Sequence, residues 1–158
     1  MSDRGIFVVS FLTVVLVVAG AFALPMLFFF ELFKSLIYLL IAVMVFFGED
    51  QYSYMLGIVA PPLWFILDIV LGGFFSDFGV LLAYLSRNPI PQFDTPLHGL
   101  AILSEILMVV LCARAWRKQV TGPFLGKTFW ICLGISLAYV GVLLGWYVYG
   151  LPIGGRMP

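Results

Sequence analysis

The sequence predicts an all-α protein, a bundle of about five transmembrane helices that forms a single integral membrane domain over residues 1–158. Hydrophobic residues make up 63% of the chain and charged residues only 10%, against about 25% charged in soluble domains. The apolar residues lie in long runs, and a spanning helix needs about 20 of them. These runs are 5–48, 52–85, 97–113 and 129–150. A water-soluble globular protein is therefore excluded.

The first apolar run is too long for one span. As a straight helix, residues 5–48 would measure about 66 Å, about twice the ~30 Å hydrocarbon core of a bilayer. Pro25 lacks a backbone donor, and Glu31 and Lys34 follow on one helical face, so we expect a break between Gly20 and Lys34. The prediction is a helix at about 5–27 and a second at about 30–48.

The third helix is expected to begin after the sequence Ala60-Pro61-Pro62. Proline costs nothing at the first position of a helix, whereas prolines inside a spanning helix forfeit hydrogen bonds that lipid cannot replace. We therefore place this helix at about 62–85. Residues 52–61 would then form a short interfacial or re-entrant segment.

The last two helices are expected at about 96–117 and 128–150, and the basic residues around their connection predict the orientation. Arg114, Arg117, Lys118 and Lys127 lie in or beside that connection. The positive-inside rule places loop 117–127 in the cytoplasm, with the N-terminus inside and the C-terminus outside. The membrane is then a cytoplasmic (inner) membrane, and Lys34 lies near its outer face.

Two carboxylates at membrane depth are the strongest candidates for chemistry. Glu105 lies about 14 Å into the fourth helix, and Asp77 lies about 22 Å into the third from the opposite side, so the two could meet. Helices three and four contain no base between their ends. Such a pair would favour a shared proton or a bound cation. The simpler alternative is that each acid is protonated and hydrogen-bonded to a neighbour.

Asp68 is the third candidate for ion or proton binding. It lies nine residues before Asp77, which puts the two acids on opposite faces of one helix. Asp68 shares its face with Gly72 and Gly79, where a neighbouring helix could approach closely and shield it. This arrangement argues against an intramembrane aspartyl protease, whose two acids must oppose each other across helices.

The fifth helix carries a row of small residues. Gly134, Ala138, Gly141 and Gly145 approximate the small-xxx-small spacing that lets two helices approach closely. The row predicts tight packing or contact with a partner chain.

The remaining signals limit the cofactors. His98 is the only histidine, so a haem held between two histidines of this chain and a His-rich metal site are excluded. No metal or cofactor is predicted. The Phe28–Phe30 and Phe74–Phe75 runs would face lipid, a pigment or another subunit, with lipid the default, and Trp64 is expected in the interfacial aromatic belt.

Three functions follow in order of support. The first is a non-catalytic accessory subunit of a larger membrane complex, with the lipid bilayer and other membrane subunits, or a second copy, as partners. The second is a small proton- or cation-linked carrier or channel that uses the intramembrane carboxylates. The third is a membrane-embedded enzyme acting on a lipid, for which no catalytic motif speaks. The accessory subunit and the carrier or channel differ in the surroundings expected for the acids. Acid-bearing helices around a polar cavity favour the carrier, and acids turned toward packed neighbours favour the subunit.

Nucleic acid is not expected as a partner, because the net charge is zero and no Lys/Arg block occurs.

Overall fold

The computed structural model describes residues 2–22, 28–70, 73–89 and 95–146, and no strand occurs within these ranges. The helices in chain order are α1 (Ser2–Ala21), α2 (Phe28–Phe47), α3 (Asp50–Val70), α4 (Gly73–Leu85), α5 (Leu97–Gln119) and α6 (Lys127–Gly145). Five of them, all except α4, are long and apolar enough to cross a membrane. The predicted fold class, a polytopic helical membrane protein of about five spans, is confirmed.

The first apolar run divides into two helices, as predicted. α1 ends at Ala21 and α2 begins at Phe28, whereas Pro25 lies outside the described residues. The last two spanning helices also lie close to their predicted positions. For the helix expected at 128–150, residues 147–150 lie outside the described ranges.

The prediction for the third helix is wrong at both ends. α3 begins at Asp50, contains Pro61 and Pro62 in its interior, and ends at Val70, and a separate helix begins at Gly73. Residues 52–61 are thus the first half of a spanning helix and not an interfacial segment. The prolines are tolerated because α3 packs against α2, α5 and α6, and enclosure by neighbouring helices compensates for the backbone bonds that proline removes.

Close packing between α3 and α5 fixes the middle of the bundle. A Cβ atom added to Gly57 of α3 would lie 2.5 Å from Sγ of Cys112 on α5. Only a glycine therefore allows the two helices to approach this far. Met108 lies beside this contact, with its Cγ 3.9 Å from the same Cβ position, and it is fully buried.

Polar contacts identify which helix ends lie together. The Tyr54 hydroxyl contacts Asp3 and Gln119, and Gln51 Nε2 donates to Thr128 Oγ1 at 2.8 Å. The starts of α1, α3 and α6 and the end of α5 therefore share one end of the bundle, termed the Asp3 end. The opposite end, where α2 and α5 begin, is termed the Glu31 end. The predicted cytoplasmic location of the Asp3 end stays a prediction.

The outer surface of the bundle is strongly apolar. Large side chains expose between 61% and 76% of their area at Phe22, Phe29, Phe46, Phe47, Val70 and Phe75. Soluble monomers do not expose apolar surface on this scale. Together with the five long apolar helices, this surface is that of a multi-pass membrane protein.

Candidate functional site

A group of ionisable side chains lies inside the bundle toward the Glu31 end. It consists of Glu31 and Lys34 from α2, Asp68 from α3 and Glu105 from α5, and is termed the charged cluster. Glu31, Lys34 and Glu105 expose only 8%, 9% and 1% of their area. Charges at membrane depth are costly, and they usually mark ion or proton sites.

The sequence of α2 places its share of the cluster on one face. Glu31, Lys34 and Tyr38 are spaced by three and four residues, which brings their side chains together along the helix. All three are buried, so this face is turned toward the interior. Lys34 lies about 9 Å and Tyr38 about 15 Å from the start of α2. α2 therefore carries polar groups from near the Glu31 end to the middle of the membrane.

Lys34 is the centre of the cluster. Its Nζ donates to Oδ2 of Asp68 at 3.4 Å and lies 5.4 Å from the ring centroid of Trp64, within the range of a cation–π contact. Glu31 and Glu105 also act electrostatically on this ammonium group. One cation thus connects acids from α2, α3 and α5.

Glu105 is the deepest acid of the cluster. It lies about 12 Å from the start of α5, and its Oε1 accepts a hydrogen bond from the Tyr38 hydroxyl at 2.7 Å. Its Oε2 is buried and has no hydrogen-bond partner among the described residues. The same holds for Glu31 Oε2 and Trp64 Nε1. The cluster therefore contains polar atoms whose hydrogen-bonding capacity is unused.

The charges of the cluster do not balance. Glu31, Asp68 and Glu105 all act electrostatically on Lys34. Asp77 of α4 interacts with Lys34, Asp68 and Glu31 as well as with His98, so acids outnumber bases. Uncompensated charge in an apolar interior costs several kcal/mol per ion. The cluster is therefore suited to take up protons or a cation.

Comparison with family models, curated proteins and solved structures finds no match to this chain. The charged cluster is interpreted below from its own chemistry.

Two of the three predicted acids, Asp68 and Glu105, interact with the same base, Lys34. Lys34 was expected near the outer membrane surface and not inside the bundle. The expectation that no base is available was made for a pair of Asp77 and Glu105. It is wrong, because it considered only the helices that carry those acids, whereas Lys34 acts electrostatically on both. The base comes from α2, whose early start at Phe28 leaves Lys34 more than one turn inside the helix.

Asp77 lies apart from Glu105. A Cβ atom on Gly99 would lie 2.9 Å from the carbonyl oxygen of Asp77, which places Asp77 beside the first turn of α5. Glu105 is about 9 Å further along the helix axis, and its hydrogen-bond partner is Tyr38. Asp68 lies on α3 and Asp77 on α4, so the prediction that they occupy opposite faces of one helix is wrong.

The glycines assigned to helix contacts lie mostly on open surfaces. No described atom lies within 4 Å of a Cβ atom built on Gly134, Gly141 or Gly145 of α6, and Ala138 is exposed. The small-residue row thus faces away from the bundle. Gly79 is equally open, so no neighbouring helix shields Asp68 there, and Gly72 lies outside the described residues.

Sequence reasoning missed Glu31, Lys34, Tyr38 and Trp64 as site residues. The available signal was the spacing of polar residues on one face of α2, where Tyr38 follows Lys34 by one turn. Trp64 was assigned to the interfacial belt, but it is fully buried. Its position one turn before Asp68 on α3 places both on the face that meets Lys34.

Proposed function

We propose that this membrane protein is a small proton- or cation-linked carrier or channel, with the charged cluster as its ion-binding site. One observation carries the proposal: inside a bundle of spanning helices, the carboxyl groups of Glu31, Asp68 and Glu105 all act electrostatically on the single ammonium group of Lys34. A structural ion pair needs one acid for one base, and each further buried acid is unfavourable unless it takes up a proton or a cation.

The position of the cluster supports a coupling role. Its members come from α2, α3 and α5, so binding of an ion changes the electrostatic attraction among three helices. A ligand that interacts differently with two arrangements of the helices shifts the equilibrium between them. The side chain of Asp68 is 22% exposed and lies two residues before the end of α3. Asp68 is therefore the member of the cluster through which an ion could enter from the Glu31 end.

Polar side chains continue from the cluster toward the Asp3 end. The hydroxyl groups of Thr13 and Ser104 lie 2.9 Å apart, and Ser10 Oγ donates to Met108 Sδ at 3.2 Å. Hydroxyl groups at this depth offer hydrogen-bonding positions between the two ends of the bundle. Around the acids themselves, the described neighbours are packed side chains, Tyr38 at Glu105 and Lys34 at Asp68. This packing favours the subunit candidate below, so the carrier proposal rests on the excess of acid over base.

The experiment is ion flux in proteoliposomes that enclose a pH-sensitive or cation-sensitive dye. The wild type should carry H⁺, Na⁺ or K⁺ faster than empty vesicles, and Glu105→Gln should abolish this flux. Glu49→Gln is the matched control, because Glu49 is exposed at the turn between α2 and α3. Wild-type flux no faster than that of empty vesicles, or full flux in Glu105→Gln, would contradict the proposal.

A second candidate function is that of an accessory subunit of a larger membrane complex, and α6 favours it. Only 22% of the apolar window of α6 is buried, against 39% to 50% for the other four spanning helices. Its outward row of small residues is the kind of surface on which a helix of another subunit packs closely.

Native gel electrophoresis of mild-detergent extracts tests the subunit function. Other subunits should migrate with the wild-type chain, and Gly141→Leu should release them. Val142→Leu is the control, because Val142 is exposed on the same helix but outside the row. Migration of the wild type alone, or retention of the partners by Gly141→Leu, would argue against this candidate.

A further inference from the structure

We infer that the ion bound by the charged cluster is a proton carried on Glu105. The inference names the ion of the proposed site and rests on the proposed function for its role in transport. The protonation of Glu105 can be measured independently of transport.

The position of Lys34 favours a proton over a metal cation. Its ammonium group lies 3.4 Å from Asp68 and acts electrostatically on Glu31 and Glu105 as well. A metal cation would meet a like charge there and would need several oxygen ligands around it. Within the described ranges, no group of three or more His, Cys, Asp or Glu side chains is arranged to hold a metal ion. A proton needs only one carboxyl oxygen.

The unpartnered oxygen of Glu105 indicates where the proton is held. Glu105 uses Oε1 to accept from Tyr38, and its Oε2 is buried without a partner among the described residues. A buried carboxylate oxygen without a donor is very costly, whereas the protonated carboxyl group is neutral.

The groups that face Glu105 from the neighbouring helices support this assignment. α2 contributes Glu31, Lys34 and the Tyr38 hydroxyl, and α3 contributes Asp68. Acids outnumber bases in this group, so a proton on Glu105 lowers its excess of negative charge.

Infrared spectroscopy of the full chain in detergent tests the inference through the C=O stretching band of protonated carboxyl groups. At neutral pH, Glu105→Gln should lower this band by the intensity of one carboxyl group. The control Glu49→Gln should leave it unchanged, because Glu49 is exposed at the turn between α2 and α3. Addition of Na⁺ or K⁺ at constant pH should have no effect.

The outcomes separate this inference from the proposed function. An unchanged band in Glu105→Gln, or loss of the wild-type band on addition of Na⁺ or K⁺, would overturn protonation of Glu105. The second result would leave an ion-linked carrier standing, with a metal cation as the ion. The expected band changes combined with no ion flux in vesicles would support the proton assignment and remove the carrier.

Discussion

The ammonium group of Lys34 on α2 lies 3.4 Å from the carboxylate of Asp68 on α3, inside the bundle and not at its surface. This contact connects two spanning helices through a buried charge pair. Glu31 and Glu105 approach the same cation, so the pair is part of a site with excess acid. Stability and ion binding are therefore expected to depend on the same residues.

Lys34→Met should destabilise the bundle by about 3–5 kcal/mol, the usual cost of removing one partner of a buried ion pair. Asp68→Asn in the same chain should recover part of this loss, because it removes the acid that Lys34 leaves without its partner. Thermal unfolding in detergent measures the effect, with Lys118→Met as the control because Lys118 is exposed. Equal effects of the two lysine substitutions would show that Lys34 is not buried among the acids.

Gly57→Ala should destabilise the contact between α3 and α5 by about 1–3 kcal/mol, because overpacking forces side chains or backbone to move. The added Cβ would lie 2.5 Å from Sγ of Cys112 but 3.4 Å from its Cβ. Cys112→Ala in the same chain should therefore restore most of the stability. Gly134→Ala, at an open position of α6, is the control. Lack of rescue in the double variant would mean that α3 does not pack on α5 at this point.

Cysteine labelling tests the arrangement of the helix ends in a Cys112→Ala and Cys132→Ala background. Glu49→Cys and Thr121→Cys should react with a membrane-impermeant maleimide from the cytoplasmic side, and Ser86→Cys from the opposite side. This follows from the common location of the starts of α3 and α6 and the end of α5 and from the basic residues nearby. Labelling of Glu49→Cys and Thr121→Cys from different sides would contradict the fold. Labelling of both from outside would reverse only the orientation.

The sequence allowed the fold class and the break in the first apolar run to be predicted, because both depend on local signals. Composition and run length limit the chain to membrane helices, and Pro25 with the polar residues after it indicates the break. The course of α3 could not be predicted in this way. Whether Pro61 and Pro62 start a helix or lie inside one depends on the helices that enclose them.

The site could be predicted only in part for a similar reason. Glu105 and Asp68 were identified because an acid in an apolar run is unusual on any helix. Their partner Lys34 lies in another part of the sequence, and its proximity results from the packing of α2 against α3. The sequence showed that Glu31 and Lys34 share a face, but not that this face is turned inward.

The most direct test of the account is to follow proton flux in proteoliposomes while Glu105 is modified by dicyclohexylcarbodiimide, a reagent for protonated carboxyl groups in apolar surroundings. Mass spectrometry of the same vesicles gives the fraction of chains with an adduct on Glu105. If the charged cluster carries the proton, proton flux should fall in proportion to this fraction, and Glu105→Gln vesicles should show neither flux nor an adduct at this position. An adduct on Glu105 that leaves the flux of the wild type unchanged would contradict the role of the charged cluster.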